Sequence, residues 1–245
     1  MTTSHPSRTR PTYGVDGYPY LVGLSAAAII LGVASGILGA CDHPRSAIAL
    51  ASVASLAAVP AILGLRYVIH GKLIHRDRVL NFIEWTGNER VLDVGTGGGI
   101  LLIGAAKRAP AGRAFGIDIW STTDLSQNTK ARVLQNAAIE GVADRVEVRD
   151  DDGRAMSFDA ESFDVVVSMQ CLHNIEEHQE KALREIVRVL KPGGTIVISD
   201  LAGTPEYAKM FEKLGLSVRE LGTAWGTFPF QRVLVAKKSL VPACS

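Results

Sequence analysis

Two long stretches near the N-terminus, residues 21–41 and 46–65, contain no charged residue. Each has the length of about 20 residues that a helix needs to cross a ~30 Å hydrocarbon core. Only Asp42, His43, Pro44 and Arg45 separate the two stretches, so the connection is short enough to force them side by side. The pattern therefore predicts a transmembrane helical hairpin over residues 20–69, preceded by a tail, residues 1–19.

Small residues recur every four positions in the first stretch, at Ala28, Gly32, Gly36 and Ala40. A Gly-x-x-x-Gly pair allows two helix backbones to approach closely. We therefore expect Gly32 and Gly36 to pack against the second helix of the hairpin. The alternative is that small residues are simply common in both stretches, which are rich in alanine. Pro60 is expected to bend that second helix, since membrane helices tolerate proline.

From residue 70 onward the pattern changes to short apolar runs that alternate with helical periodicity. This alternation predicts an α/β domain over residues 70–245. A helix over residues 76–83 is expected to open the domain. The strands are expected near residues 90–94, 114–118, 146–149, 163–168, 196–199, 216–221 and 232–236.

A glycine-rich turn follows the first of these strands. The strand ends in Asp93, and Gly95, Gly97 and Gly99 follow at alternate positions before an apolar helix begins. Such a turn needs backbone angles that a Cβ disfavours, and a ligand can lie against its bare main chain. The next strand ends in Asp118, where a carboxylate can accept hydrogen bonds from both hydroxyls of a ribose.

Two further motifs complete a recognisable series: the acids at residues 150–152 and the Leu-Lys-Pro-Gly-Gly turn at residues 190–194. From residue 90 to residue 237 the chain resembles the class I S-adenosylmethionine-dependent methyltransferases, in particular the type 11 domain of quinone-biosynthesis methyltransferases. The resemblance implies a Rossmann-like seven-stranded sheet whose last strand is antiparallel, and S-adenosyl-L-methionine as cofactor. It implies cofactor contacts at Asp93, Gly95, Thr96, Gly97, Gly99, Asp118, Ile119, Asp152, Gly153 and Ser168.

Within this series the resemblance places Asp152 at the adenine amino group, with Asp151 as the second choice because three acids adjoin. Ser157 stands where the family usually has proline. Trp120 either packs on the adenine or covers a helix. The polar residues 120–128 form either a lid or a solvated loop.

His173 follows the fourth strand, at the place that faces the transferred methyl group in the family. It is the candidate general base, and its alternative role is to cap the following turn. Cys171 is interpreted as a packing residue. Trp225, Phe228 and Phe230 either line an apolar pocket, dip into the membrane interface or form a structural cluster.

The formal net charge is +1. The sequence has no basic patch interleaved with aromatic residues, which is the pattern that would predict nucleic-acid binding. Cys41, Cys171 and Cys244 lie far apart, without the spacing of a metal site. Lysine and arginine flank the outer ends of the hairpin, beginning with Arg8 and Arg10, whereas the connection holds only Arg45. The positive-inside rule therefore predicts that both termini and the catalytic domain are cytoplasmic.

These features together predict a membrane-anchored transferase that moves a methyl group from S-adenosylmethionine to a small hydrophobic acceptor: a quinone, a lipid or a thiol. The alternative from another class is a non-catalytic S-adenosylmethionine-binding scaffold or regulator at the membrane. An NAD-dependent enzyme is disfavoured by the acid two residues before the first glycine. A lipoprotein signal ending at Cys41 is disfavoured by the second apolar stretch.

Overall fold

The computed structural model describes residues 10–122, 125–175 and 177–240. Arg8 and Cys244, which entered the sequence predictions, lie outside the described residues. Within these ranges the chain forms the helices α1 (Tyr18–Ala40), α2 (Pro44–Arg66), α3 (Lys72–Leu80), α4 (Ile100–Arg108), α5 (Lys130–Ile139), α6 (Gln179–Val189) and α7 (Thr204–Lys213). Its strands are β1 (Arg90–Val94), β2 (Arg113–Asp118), β3 (Val146–Asp150), β4 (Phe163–Met169), β5 (Leu190–Asp200), β6 (Leu216–Ala224) and β7 (Gln231–Lys238).

The two apolar stretches form the helices α1 and α2, which pack against each other as a hairpin. Both are long and apolar enough to cross a membrane, by length and composition. No residue of α1 is buried, and α2 buries only Ala54, Ala61 and Gly64. The hydroxyl of Ser35 donates to the carbonyl oxygen of Ala47 at 2.7 Å and ties the two helices near their connection.

The expected packing of Gly32 and Gly36 against α2 is wrong. A Cβ placed on either glycine would meet no described atom within 4 Å, so both face away from the partner helix. The close approaches are made elsewhere, by Gly39 against Ala47 and by Gly64 against Leu21. Four-residue spacing identifies a smooth helix face but does not say which neighbour covers that face.

No linker separates the hairpin from the α/β domain. After α2 the backbone makes a π-helical turn, Tyr67–Gly71, and continues directly into α3. The helix that was expected over residues 76–83 therefore begins and ends earlier in the chain. Because α3 packs on α4 through the buried Val79 and Leu80, the orientation of the hairpin is coupled to the sheet domain.

The seven strands form one sheet in the order β3-β2-β1-β4-β5-β7-β6. Strands β1 to β5 pair in parallel, whereas β7 runs antiparallel to both β5 and β6. This confirms the Rossmann-like methyltransferase sheet. Strand order reverses between β1 and β4, and ligands of such sheets bind at the carboxyl ends of the strands beside this reversal.

Two apolar clusters cover the two faces of the sheet. One contains α3 and α4, and the other contains α6, α7 and three aromatic rings, Phe115, Phe158 and Phe163, which meet edge to face. The Leu-Lys-Pro-Gly-Gly turn differs from expectation, because α6 ends at Val189 and β5 already begins at Leu190. A register shift opposite residues 163–165 accommodates the extra residues within the strand.

Candidate active site

A cavity of about 620 Å³ opens at the carboxyl ends of β1, β2 and β4. Among the residues predicted from the sequence, it is lined by Asp93, Gly95, Thr96, Gly97, Asp118, Ile119, Asp152, Gly153 and His173. Two predicted residues do not line it. Gly99 precedes the first residue of α4, and Ser168 is buried with its hydroxyl donating to the carbonyl oxygen of Val94 at 2.9 Å. Their contacts with a cofactor remain predictions.

The glycine-rich turn is packed closely from two sides. Gly95 has a φ of +72°, and a Cβ there would lie 2.1 Å from the sulfur of Cys171. A Cβ on Gly98 would lie 2.8 Å from the carbonyl oxygen of Tyr13. The glycines are therefore needed both for backbone angles and because other chain segments touch the turn directly.

Asp93 is the buried acid of the site, with only 2% of its surface exposed. Its Oδ2 atom accepts hydrogen bonds from the Thr96 hydroxyl at 2.9 Å and the Leu102 N–H at 3.0 Å. Burial raises the pKa of Asp93 to about 7, although these two hydrogen bonds oppose the shift. A cationic ligand in the cavity would favour the ionised form of this carboxylate.

The carboxylate of Asp118 organises the loop after β2. It accepts hydrogen bonds from Gly97 N–H at 2.8 Å, Trp120 N–H at 2.7 Å and the Asn128 side-chain amide at 3.2 Å. The remaining atom of that amide, Asn128 Oδ1, is buried without a hydrogen-bond partner among the described residues. Since Asn128 lines the cavity, its oxygen offers an acceptor to a ligand that brings a donor.

The acids after β3 are held by their own neighbours. Asp151 accepts from the backbone N–H and the hydroxyl of Ser157, at 2.9 and 2.8 Å. Asp152 pairs with Arg154 at 2.7 Å, and this contact lowers the pKa of Asp152. Both acids line the cavity, so the choice between them as the adenine contact stays open. Ser157, in the usual place of proline, supplies the bonds that fix Asp151.

Trp120 and the rest of the polar loop differ in their position relative to the cavity. The indole N–H of Trp120 donates to Asp150 at 2.6 Å, and Trp120 itself is not among the cavity-lining residues. Leu125 and Asn128 from the polar loop do line the cavity. Ser121 lines the cavity as well, so the described part of the loop contributes to the wall of the site from both of its halves.

His173 lies in a short turn, Leu172–Asn174, directly after β4. Its Nδ1 atom is 2.5 Å from Oδ1 of the buried Asp200, and its backbone N–H donates to Oδ2 of the same carboxylate at 3.0 Å. A carboxylate on one ring nitrogen orients the imidazole, as in hydrolase triads. The backbone bond caps the turn at the same time, so one carboxylate serves both of the roles considered for this segment.

A large part of the cavity wall was not predicted from the sequence, because residues 1–19 were interpreted as a tail and the hairpin only as an anchor. The structure adds Gly17, Tyr20, Leu21 and Leu24 from the start of α1, Pro60, Gly64, Tyr67 and Val68 from the end of α2 and beyond, and Phe228 and Pro229 from the β6–β7 loop. The only indication of this in the sequence is that the lining residues at the start of α1, and those at the end of α2, are spaced three or four residues apart, as on one face of a helix. Of the three aromatic residues singled out beforehand, Phe228 lines the cavity, whereas Trp225 is 77% exposed.

Residues 12–16, here called the N-terminal strap, lie across the glycine-rich turn. The buried ammonium group of Lys72 holds the strap, through an ion pair with Asp16 at 2.7 Å and hydrogen bonds to the carbonyl oxygens of Gly14 at 3.0 Å and Tyr13 at 3.4 Å. The Tyr13 hydroxyl donates to Glu140 at 3.0 Å. The strap thereby joins the first membrane-type helix to the cofactor side of the cavity.

Comparison with known proteins gives this geometry a family. Residues 92–198 match the family described as methyltransferase domain. The chain is 31% identical over 127 residues to the sterol 4-C-methyltransferase of Caenorhabditis elegans, covering 52% of this chain and 35% of that protein. It is 28% identical over 135 residues to the ubiquinone/menaquinone biosynthesis C-methyltransferase UbiE of Cereibacter sphaeroides, covering 54% and 51%.

Among solved structures, a SAM-dependent methyltransferase from Aquifex aeolicus superimposes with a TM-score of 0.54 at 21% identity, covering 73% of this chain and 97% of that one. This likeness shows the fold. Residues 92–198 form an S-adenosylmethionine-dependent methyltransferase domain. The chain spans about a third to a half of the length of the two curated relatives described here, and the methyltransferase domain is the shared part.

The cavity of this methyltransferase domain suits its cofactor. S-adenosylmethionine carries a positive sulfonium and an ammonium group, and the buried Asp93 offers a negative charge in reach of the cavity. Asn128 Oδ1 is an unpartnered buried acceptor within the described residues. Asp118 stands at the strand end where related folds hold a ribose.

Proposed function

We propose that this protein is a membrane-anchored methyltransferase whose acceptor is a hydrophobic molecule that partitions into the bilayer. The observation that carries the proposal is the single cavity lined both by the glycine-rich turn and by the ends of α1 and α2. A hairpin that served only as an anchor would have no reason to form a wall of the active site.

We assign the cofactor to the turn between β1 and α4, with Asp93 and Asp118 beside it and residues 151–153 at the adenine end. S-adenosylmethionine supplies a methyl group that is already activated on a sulfonium. The protein then has to align the acceptor with that methyl group and to exclude water. The strap and Leu125 cover the turn and supply part of this exclusion.

We assign His173 as the general base that takes the proton from the acceptor. Where the acceptor is a hydroxyl, a phenol or an acidic carbon, the proton must leave during methyl transfer, and an imidazole oriented by Asp200 can accept it. The position of His173 on the cavity wall is compatible with that task. Cys171 does not compete for the role, because burial raises the pKa of its thiol well above the usual range.

Membrane insertion and orientation are part of the proposal. The apolar side chains of α1 and α2 point outward; Ile29, Ile30, Val33 and Ile37 of α1 are each at least 59% exposed. Apolar faces this continuous need a cover, and a bilayer provides one. With Arg10 at one end of the hairpin and Arg66, Arg76 and Arg78 at the other, the positive-inside rule places the catalytic domain in the cytoplasm.

The two curated relatives support the class of acceptor. One is named for a sterol and the other for ubiquinone and menaquinone biosynthesis. We extend that property to this chain because its cavity continues into the hairpin. The acceptor we propose is accordingly a quinone-like or other lipid-soluble molecule, in preference to a small thiol.

The test supplies methyl-labelled S-adenosylmethionine to membranes from cells that make the protein, with Asp93→Ala as the inactive control. Label is then measured in the lipid extract and in the headspace. The proposal expects label in the lipid extract that is absent from the control. Volatile label alone would mean a small thiol acceptor, and equal label in both preparations would contradict the enzyme assignment.

A further inference from the structure

The hairpin lines the cavity with two matched helical stripes. In α1 and the residue before it, the lining positions are Gly17, Tyr20, Leu21 and Leu24, and from α2 onward they are Pro60, Gly64, Tyr67 and Val68. Steps of three and four residues keep each set on one helix face. The two stripes therefore form two facing walls, and Phe228 and Pro229 lie next to them on the side of the sheet domain.

Both stripes reach the same depth into the hairpin. Leu24 is six residues from the first residue of α1, and Pro60 is six residues from the last residue of α2, so each lies about 9 Å along its helix at 1.5 Å per residue. That distance is about a third of a ~30 Å hydrocarbon core. Equal depth on both helices is the arrangement expected if one molecule contacts both of them at this end.

Gly64 has no side chain, and this lets the side chains of Leu21 and Phe228 lie close to α2 at the end of the hairpin. A Cβ on Gly64 would lie 3.0 Å from Cδ1 of Leu21 and 3.7 Å from Cδ1 of Phe228. Any larger side chain at residue 64 would have to displace Leu21 and Phe228 or extend into the cavity that all three residues line. Gly23, in the same part of the hairpin, differs from Gly64, because a Cβ added there would meet no described atom within 4 Å.

Among the described residues, the positive charge at the base of the compartment is compensated, because Lys72 pairs with Asp16 at 2.7 Å. Lys72 is the buried cation at its base, and the ammonium group has three hydrogens to donate. The strap provides Asp16 as an ion-pair partner and the carbonyl oxygens of Tyr13 and Gly14 as hydrogen-bond acceptors. An anionic headgroup would therefore have to displace Asp16 from a buried ion pair, which is costly.

We propose that the end of the hairpin is the acceptor-binding compartment: the apolar chain or ring of an uncharged lipophile lies against the cavity-lining residues Leu21, Leu24, Pro60 and Gly64 and reaches the cavity sideways from the bilayer. This inference rests on the proposed function and makes it specific. The hairpin selects neutral lipophiles over anionic phospholipids, and Gly64 sets the width of the opening.

The first experiment needs no methyl transfer. Full-length protein in phosphatidylcholine vesicles is photolabelled with octadecanol that carries a diazirine, and cross-links to Phe228 and Pro229 are quantified by mass spectrometry. We expect Gly64→Leu to reduce these cross-links at least tenfold, whereas the matched Gly23→Leu leaves them within twofold. Similar labelling of the two variants would overturn the inference.

The affinity for S-adenosylhomocysteine reports whether each variant retains a folded cofactor side. If Gly64→Leu loses that affinity, Leu24→Trp replaces it, with Val22→Trp as the control on the exposed side of α1. The same tenfold and twofold expectations apply. Undiminished cross-linking in Leu24→Trp would overturn the inference in the same way.

Methyl transfer separates this inference from the proposed function. With methyl-labelled cofactor and a lipid extract divided into neutral and anionic fractions, we expect label in the neutral fraction, at least tenfold lower for Gly64→Leu than for Gly23→Leu. Label in the anionic fraction would leave the methyltransferase function standing and overturn the neutral-lipophile compartment. Strong octadecanol cross-linking without any methyl transfer would leave the compartment standing and overturn the proposed function.

Discussion

The two ends of the cavity are built in opposite ways. The cofactor end is formed by the turns that follow neighbouring parallel strands. The pairing of β1 with β2 brings Asp93 and Asp118 to the same edge of the sheet, and hydrogen bonds hold their carboxylates in place. The hairpin end consists of apolar side chains from three segments that are remote in sequence, residues 17–24, 60–68 and 228–229. The cofactor end therefore suits one particular polar molecule, whereas the hairpin end suits lipophilic molecules.

The strap connects the two ends. It crosses the glycine-rich turn at Gly98 and leads directly into α1. A change in the position of α1 is therefore transmitted to the cover of the cofactor site. Because of this coupling, the effect of a variant at one end of the cavity should also be measured at the other end.

The largest effect is expected at His173, where the two ends meet. His173→Asn should lower kcat by 10²- to 10⁴-fold, the usual contribution of a general base, while the affinity for S-adenosylhomocysteine stays within twofold. The measurement is steady-state methyl transfer to the lipid acceptor alongside calorimetry. Unchanged kcat would assign His173 to the cap of the turn alone.

Asp118→Ala should affect the cofactor end next most strongly. The substitution removes an ionised acceptor that is expected to bind the ribose hydroxyls, at a cost of about 1.5–3 kcal/mol for hydrogen bonds to a charged group. Calorimetry with S-adenosylhomocysteine should show a corresponding loss of affinity. Asp144→Ala, at an exposed carboxylate outside the cavity, is the control, and equal affinities for the two variants would move the ribose site elsewhere.

Lys72→Met tests the strap. Removing one member of a buried ion pair costs several kcal/mol, and we expect about 2 kcal/mol here because Asp16 keeps a quarter of its side chain exposed. Amide hydrogen exchange in residues 12–16 should accelerate by about 30-fold, the equivalent of that free energy. Lys130→Met removes an exposed pair with Asp150 at 3.6 Å, and exchange in the strap should not change in that variant.

The difference between the two ends also explains what could be predicted from the sequence. The turn from Asp93 to Gly99 and the acid Asp118 are local motifs, so their place in the fold was predictable and the seven-stranded sheet is confirmed. The role of Gly64 could not be predicted, because it depends on Leu21 and Phe228, which approach it only through the packing of α1, α2 and the β6–β7 loop. Gly32 and Gly36 are the opposite case. They form a local motif that predicts close helix packing, but a Cβ added to either would meet no described atom within 4 Å.

The strap was missed for the same physical reason. Lys72 is one of several basic residues that follow the second apolar stretch, and nothing in its local sequence indicates a buried ion pair. Its burial follows from the continuous helix α2–α3, which carries it beneath residues 13–16. Charges whose partners lie more than 50 residues away leave no periodic trace.

The smallest predicted effect is a pH dependence that belongs to the cofactor end alone. Burial raises the pKa of Asp93 to about 7, and the nearby Asp118 adds to that shift. In the free protein Asp93 is therefore largely protonated below pH 7, and a cationic cofactor must first displace that proton. The affinity for S-adenosylmethionine should fall by up to tenfold for each pH unit below 7, since one pKa unit corresponds to about 1.4 kcal/mol.

The stability of the protein without cofactor should change in the opposite direction. Because the folded-state pKa lies above the ordinary value of 3.8, the folded state binds the proton more tightly than the unfolded state does. The free energy of unfolding contributed by Asp93 should then decrease as pH rises from about 4 to about 7. Asp93→Asn should flatten the pH dependence of cofactor affinity and leave octadecanol cross-linking at the hairpin end unchanged. A pH dependence that survives in Asp93→Asn would mean that another group titrates, and the charge of Asp93 would then not be what distinguishes the polar end from the apolar one.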